Sequence, residues 1–406
     1  MVTHTHIYPH KRYYWYTGSP VTEWLDDFSE WLRISGYCEK VIHKHVAALR
    51  FSLEPHAPVP RNRHYSRAEL QQLLVCPQRP RGFRHMCAAF EHFLRSCDQL
   101  IDPPCTGCHA ELMDVYRQYL LEMRGLASTT VDQHAREIRQ FLETALPQNG
   151  QLAELSAVDV ERFIAIRARC VGRGKLQMTA AYLRAFLRFC VDRGEVSSGI
   201  EIFDMPRRYW DEKPPRAIPW TLAEQLLDSI DRSTPVGLRD HAIFYLMAHY
   251  GLRTGEIPLL RLDSIDWRAR TLRVEQTKTR SVLVLPLIDT AAEVLQCYIR
   301  EGRPNRDRPE LFLRLRAPIG AMTRCAISQA FQRHVRRSGL PLNGASPYGL
   351  RHGFAMRLLE RNVGVKVIGD LLGHRSLATT SVYLRLQVEA LRDVALPLPG
   401  ECHAYQ

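Results

Sequence analysis

The sequence predicts a multidomain, mainly α chain: N-terminal helical domains followed by an α+β domain with a small antiparallel sheet. Three observations predict it. Apolar residues recur at three- and four-residue intervals through most of the chain, the period of amphipathic helices. One stretch, Ile265–Pro286, instead alternates like short strands broken by polar turns. A proline- and arginine-rich segment, Ser197–Pro219, separates the purely helical part from the part that holds the strands. With 406 residues the chain has room for about two to three domains.

The elements follow in order. The stretch to Pro20 is aromatic and basic (His10, Lys11, Arg12, Tyr13, Tyr14, Trp15, Tyr16) and reads either as an arm against nucleic acid or, favoured slightly, as packing on the next helix. Glu30–Glu54 then aligns without gaps to Tyr119–Glu143, matching Leu32 with Leu121, Gly36 with Gly125, His45 with His134, Arg50 with Arg139 and Leu53 with Leu142. Each copy reads as helix, glycine turn, helix; a duplicated unit and chance agreement of two helical hairpins both fit. Val158–Arg169 puts Val160, Phe163, Ile164 and Ile166 near one face, and Thr179–Asp192 does so with Tyr182, Phe186, Leu187 and Phe189. Arg162, Arg167, Arg169, Arg184 and Arg188 lie between them, either facing a phosphate backbone or ordinarily solvated. Pro206, Pro214, Pro215 and Pro219 forbid regular helix in the linker candidate.

Beyond it, Thr221–Ser229 and Gly237–Tyr250 are helical, the second apolar and ending at Gly251, a residue suited to a left-handed cap. Arg253 follows in the turn, with Glu256 placed to buttress it. Ile265–Trp267, Thr271–Val274 and Ser281–Pro286 are strands, and Lys278 sits at the tip of the last hairpin. Ser346–Leu359 is a helix in which Tyr348 and Arg351 share a face, one turn apart. Leu371–His374 closes another helix, and Thr379–Tyr383 starts a short one.

Composition narrows the partners. Hydrophobic residues are 45% and charged residues 24%, an ordinary globular balance, while Lys and Arg exceed Asp and Glu 55 to 43 for a net charge of +12. That excess favours a polyanion. No apolar run approaches the roughly 18 to 20 residues of a membrane span. The start, Met-Val-Thr-His-Thr-His, lacks the apolar core of a secretory signal, so a cytoplasmic protein is expected. The 11 cysteines then read as reduced and mostly buried. Cys105-Thr-Gly-Cys108-His109 spells a haem-attachment pattern, but attachment requires export; chance is the main reading, with a zinc site completed by Cys87 or Cys97 as the other.

Gly-Leu-Arg-Thr-Gly-Glu at 251–256, the hairpin lysine, Tyr-Gly-Leu-Arg-His at 348–352 and Leu-Leu-Gly-His followed by Tyr383 resemble, in content and order, the boxes of the tyrosine recombinase (phage integrase) family. The resemblance covers about Pro219–Leu386. Each box alone is weak; their joint order is highly specific. Gly125–Gly194 is more loosely similar to that family's core-binding domain. The resemblance implies residues 1–104 as an N-terminal helical region with an extra arm or core-binding-like unit, 105–198 as the core-binding helical domain, 199–218 as linker, 219–396 as the catalytic domain and 397–406 as tail. It implies Arg253 and Arg351 as phosphate-binding arginines, Lys278 as general acid, His374 as the second-box histidine and Tyr383 as nucleophile. Tyr348 is a departure, because the family usually has His or Lys there. A phenol donates a hydrogen bond to a phosphate oxygen but carries no positive charge.

These residue types suit strand exchange in DNA. Nucleophilic attack on a phosphodiester puts charge on the phosphoryl oxygens, which two permanently charged arginine forks stabilise. A 5′-hydroxyl leaving group needs a proton, and a lysine supplies one. A tyrosine that holds the 3′-phosphate conserves the bond energy for religation. No cofactor, metal ion or ATP is expected: acidic metal clusters and a P-loop are absent from the sequence. The expected partners are double-stranded DNA, bound by a homotetramer across two sites, and, as a further reading, partner recombinases. Tyr250 is a rival nucleophile that follows no histidine box, and His352 reads as a neighbour of the site. Two other functions compete: a weakened recombinase-like protein that binds DNA without cutting, and a type IB-like topoisomerase.

Overall fold

Helix-period sequence lays out most of the elements. The computed structural model describes residues 20–61, 63–75, 82–101, 109–146, 151–203, 216–276, 281–374, 380 and 383. The chain divides into two units, Met1–Ser29 with His43–Glu212, and Glu30–Ile42 with Lys213–Gln406. The helices before the proline-rich stretch are α1 (Thr22–Ile34), α2 (Glu39–Leu53), α3 (Arg67–Leu73), α4 (Phe83–Ser96), α5 (Ala110–Gln118), α6 (Ser128–Ala145), α7 (Ala157–Cys170) and α8 (Arg173–Asp192). Strands β1 (Tyr65–Ser66) and β2 (Leu100–Ile101) make a short parallel pair.

In the first unit, Trp24, Phe28, Phe90 and Phe93 meet largely edge-on, as Phe28 and Phe90 do at 5.3 Å and 87°, the arrangement that aromatic quadrupoles favour. A second core gathers Tyr116, Ile138, Phe141, Phe163, Leu183, Phe186 and Leu187 from α5 to α8. A buried carboxylate ties these helices: Glu137 accepts two bonds from Arg167 at 2.8 and 3.0 Å and one from Thr179 at 3.0 Å, with Lys175 at 3.2 Å. Burial alone would raise its pKa; the bonds from Thr179, Arg167 and Lys175 more than offset that and hold it below the ordinary value.

This corrects the reading of α7. Ile166 is 44% exposed, whereas Arg167 is turned inward. Arg184 is also committed, donating to the Phe203 carbonyl at 2.7 Å over the Phe203 ring. Both guanidinium groups are thus held by partners within the helical unit. The second helices of the two matched hairpins bury equivalent residues: Ile42 and Val131, His45 and His134, Leu49 and Ile138, Leu53 and Leu142. The first helices differ, with Leu32 buried and Leu121 exposed. Ile200 and Phe203, at the start of the linker candidate, are buried too.

The second unit comprises α9 (Trp220–Asp228), α10 (Pro235–Tyr250), β3 (Ile265–Asp266), β4 (Thr271–Gln276), β5 (Ser281–Pro286), α11 (Asp289–Cys297), α12 (Arg324–Ser338), α13 (Tyr348–Glu360) and α14 (Val365–Leu372). The strands form one antiparallel sheet in the order β3-β4-β5, paired from Thr271↔Pro286 to Gln276↔Ser281. Helix α10 begins two residues before the expected Gly237. Thr234 caps it by accepting from the Gly237 N–H at 3.1 Å, and Pro235 takes the first position, where a missing N–H costs nothing. It is buried on every side, which is why apolar residues run through it without an amphipathic period. Its fully buried Asp240 accepts from Arg239 at 2.6 Å and is hydrogen-bonded to His334 of α12 at 3.0 Å. The Ile218 N–H donates to the Gly349 carbonyl at 3.0 Å, which pins the start of α13. No helix among the described residues is long and apolar enough to cross a membrane.

Candidate active site

Arg253 leaves α10 through Gly251, whose φ of 63° is left-handed. A side chain there would be strained, and its Cβ would stand 2.6 Å from the Phe354 ring. Glu256 is 2% exposed and holds Arg253 twice, accepting from the main-chain N–H and from Nη1, each at 2.7 Å. Nη2 of Arg253 donates to the Gly373 carbonyl at 3.3 Å.

Arg351, in the first turn of α13, is 1% exposed. Its Nη1 donates to the Gly251 carbonyl and its Nη2 to the Leu372 carbonyl, both at 2.6 Å. Gly251, Leu372 and Gly373 lie at the C-terminal ends of α10 and α14, where unpaired carbonyls and the helix dipole present negative charge. That charge, with the carboxylate of Glu256, allows the buried Arg351 to lie near the partly buried Arg253. Burial first, and then the charge of Arg253, push the pKa of Arg351 down, yet an arginine remains charged at neutral pH. Its Nε is buried with no hydrogen-bond partner among the described residues. A buried orphan donor on a cation is costly unless an acceptor arrives.

His374 follows the left-handed Gly373 (φ 61°), and its N–H donates to the Gly369 carbonyl at 2.8 Å. Its Nε2 lies 3.3 Å from Nη2 of Arg351 and must accept, because an arginine only donates. Nδ1 then carries the hydrogen and donates to Thr380 Oγ1 at 2.8 Å. Gln276, the last residue of β4, is buried against this turn, so closely that a Cβ on Gly373 would fall 1.9 Å from its Oε1. The glycine is required for its φ, and the end of the Gln276 side chain occupies the space beside it. Lys278 lies just beyond β4, outside the described residues, as do Cys105 and Cys108.

Tyr383 is 3% exposed. It packs with Ala355, Leu359, Ile368 and Leu372, and its N–H donates to the Thr380 carbonyl at 3.0 Å. Its hydroxyl lies 2.9 Å from Nδ1 of His352. Burial, and then Tyr348, push the phenol up to about 12, while Arg351 and Arg253 pull the other way. Burial, and then Arg351, push His352 down to about 4. At neutral pH the phenol is therefore protonated and the imidazole neutral, so the O–H donates to Nδ1. Tyr348, one turn before His352, is 43% exposed and meets the imidazole edge-on at 4.5 Å and 86°. Tyr348 and Arg351 thus part company: the tyrosine stands at the rim and the arginine is turned inward.

Four of the residues singled out from the sequence, Arg253, Arg351, His374 and Tyr383, come together here, with Tyr348 at the edge. His352, read as a bystander, bonds the Tyr383 hydroxyl. Its one sequence signal was the four-residue spacing from Tyr348, which puts both on one helix face. Among the described residues, no group of three or more His, Cys, Asp or Glu is placed to hold a metal ion.

Residues 221–390 match the phage integrase family. The putative integrase/recombinase y4rA of Sinorhizobium fredii is 31% identical over 344 residues, 81% of this chain and 82% of that protein. Tyrosine recombinase XerD of Mycobacterium tuberculosis is 30% identical over 295 residues, 69% of this chain and 94% of that protein. Among solved structures, a lambda integrase tetramer bound to a Holliday junction shares the fold at a TM-score of 0.52 and 19% identity, over 65% of this chain and 76% of that one.

Proposed function

Because the chain belongs to the tyrosine recombinase (phage integrase) family, we propose that it is a site-specific DNA recombinase whose Tyr383 cuts and rejoins strands through a 3′-phosphotyrosyl bond. The observation that carries this is the cluster of a buried tyrosine hydroxyl with two arginines and a histidine, one of those arginines having an orphan donor. Its substrate is double-stranded DNA. By analogy with the lambda integrase tetramer on a Holliday junction, four copies act on two duplexes. Residues 105–198 serve as the core-binding domain, 219–396 as the catalytic domain, and the N-terminal hundred residues as a further helical contact.

The scissile phosphate enters with its oxygens on Arg253 and Arg351, and the free Nε–H of Arg351 gains the acceptor it lacks. Fixed donors of this kind are each worth about 10²- to 10³-fold in rate. Tyr383 attacks phosphorus, the bond to the 5′-oxygen breaks, and that oxygen takes a proton from Lys278. Positive charge on the phosphate comes from arginine rather than from a metal ion, and the phosphotyrosine stores the energy for religation without ATP.

The test is covalent trapping with nicked suicide duplexes tiled across the DNA that flanks the gene. Wild type gives an SDS-stable protein–DNA band. Tyr383→Phe gives none, while its DNA affinity by gel shift stays within a few-fold. An adduct that persists in Tyr383→Phe overturns the assignment. Binding without any adduct in wild type means a protein that binds DNA and leaves it intact, and relaxation of plasmids lacking a particular site means a topoisomerase.

A further inference from the structure

We infer that His352 is a catalytic residue, the group that takes the proton from Tyr383 as the phosphotyrosyl bond forms and returns it on religation. The inference rests on the proposed role of Tyr383 and adds to it the destination of the phenol's proton.

A phenol attacks phosphorus effectively only as it loses its proton, and Tyr383 is buried, so bulk water has poor access to its hydroxyl. The acceptor in contact with it is Nδ1 of His352, at 2.9 Å. The arginines are donors only. His374 has its own commitments, Nε2 to Arg351 and Nδ1 to Thr380. Tyr348, at the position where the family carries His or Lys, has no ring nitrogen to accept a proton. It lies edge-on against His352 and fixes the plane of that ring. Acceptor and support thus sit one turn apart on α13, and the ring nitrogen is on the later residue.

The charges around the pair decide when the transfer happens. Arg351 on α13 and Arg253 after α10 face it, with Glu256 paired to Arg253, Tyr348 on α13 and His374 after α14. Lys366 and Asp370 of α14 are exposed. Before DNA binds, Arg351 disfavours a charged imidazole, and the proton stays on the phenol. An incoming phosphate brings negative charge to the arginines and offsets that repulsion, so His352 gains basicity when the substrate is in place. The step balances: the Tyr383 Oη–P bond forms, the P–O5′ bond breaks, the phenol proton moves to Nδ1, and the 5′-oxygen takes a separate proton from Lys278.

The experiment measures adduct formation on the trapped suicide duplex against pH, for the full chain as wild type, His352→Asn, His352→Ala and Tyr383→Phe. Asparagine keeps a neutral acceptor near the hydroxyl but takes no proton. Wild type is expected to be flat between about pH 6 and 9. Both His352 variants are expected to be about 100-fold slower at neutral pH, with rates that climb roughly tenfold per pH unit as hydroxide takes over. Gel shift and thermal melting establish that the variants fold and bind. A His352→Asn protein with the wild-type rate and a flat profile overturns the inference and leaves His352 as a positioning residue. So does full recovery of the variants on a duplex with sulfur at the scissile 5′ position, because a thiolate leaves without a proton and recovery would put the deficit on the leaving-group side. If Tyr383→Phe itself forms an adduct, the broader functional reading fails instead, and the two failures are told apart.

Discussion

Among the described residues, two tyrosine hydroxyls bond histidine ring nitrogens, and one of the two pairs lies beside a pair of arginines. In the helical unit Tyr116 bonds Nδ1 of His134 at 3.1 Å; in the candidate site Tyr383 bonds Nδ1 of His352 at 2.9 Å. Burial raises both phenols and pushes both imidazoles down to about 4. Their surroundings differ. Tyr116 is packed by Phe186 and Phe189, each at 5.1 Å, and the arginine that acts on its phenol is Arg124 alone among the causes of its shift. Tyr383 faces two arginines, one with an uncommitted donor, and a tyrosine at the rim. A tyrosine–histidine bond is thus a packing solution by default. It becomes a reactive centre when adjacent cations wait for an anion.

The sharpest way to break this comparison is to remove each hydroxyl in turn. Tyr383→Phe should lower covalent adduct formation by at least ~10³-fold, the scale of losing a nucleophile. Tyr116→Phe should leave adduct formation unchanged and instead lower stability by about 1–2 kcal/mol, because Nδ1 of His134 loses its partner in a buried site. Thermal melting and suicide-duplex trapping on both variants would read this out. Equal losses of adduct in the two would mean that the distinction between the pairs is false.

Acid should treat the two pairs alike. His134, His241 and His352 are held neutral in the folded chain with pKa values of about 4, against about 6.5 in an unfolded chain. The folded state therefore binds fewer protons than the unfolded state between those values. The stability from keeping these rings neutral is complete above about pH 6.5 and is lost as pH falls towards 4. At pH 5 the loss is on the order of 1–2 kcal/mol for each histidine. Melting should drop clearly from pH 7 to pH 5, and His134→Asn, which keeps an acceptor for Tyr116 but does not titrate, should soften the drop. Melting that ignores pH over this range would show that these rings are not held neutral.

Arg253, Arg351, His374 and Tyr383 were singled out through boxes that resemble the tyrosine recombinase family, and for Arg253 and His374 a helix-ending glycine also fixes the turn that carries them. Gly251 and Gly373 are examples: the left-handed residue that ends a helix also sets where the next side chain goes. The carbonyls that hold the arginines were not legible, because Gly251, Leu372 and Arg351 meet only in three dimensions. The same holds for the His352–Tyr383 bond, which joins α13 to a residue beyond α14. In the helical unit the apolar period gave the elements but misjudged one face. Ile166 and Arg167 are neighbours, and the arginine is inside because Glu137, a helix away, offers it two hydrogen bonds. Periodicity counts hydrophobicity and has no term for a charge partner on another helix.

The smallest expected effect concerns Tyr348, and it bears on why the two pairs differ. Tyr348 raises the pKa of Tyr383, and being exposed it meets solvent at the rim. A histidine there, when protonated, would add a third positive charge near the phosphate and pull the Tyr383 phenol down instead of up. Against that gain stands the edge-on contact with His352 at 4.5 Å, which a smaller ring supports less well. The charge acts directly on the reacting phosphate, whereas the contact only steadies a ring that also bonds Tyr383. Tyr348→His should therefore speed adduct formation, by no more than ~10-fold, since the new bond is one charge-assisted contact at a partly solvated edge. The gain should be larger below about pH 6.5, where the added imidazole is charged. A variant that instead loses cleavage while still binding DNA would mean that Tyr348's hold on His352 outweighs any charge at that position.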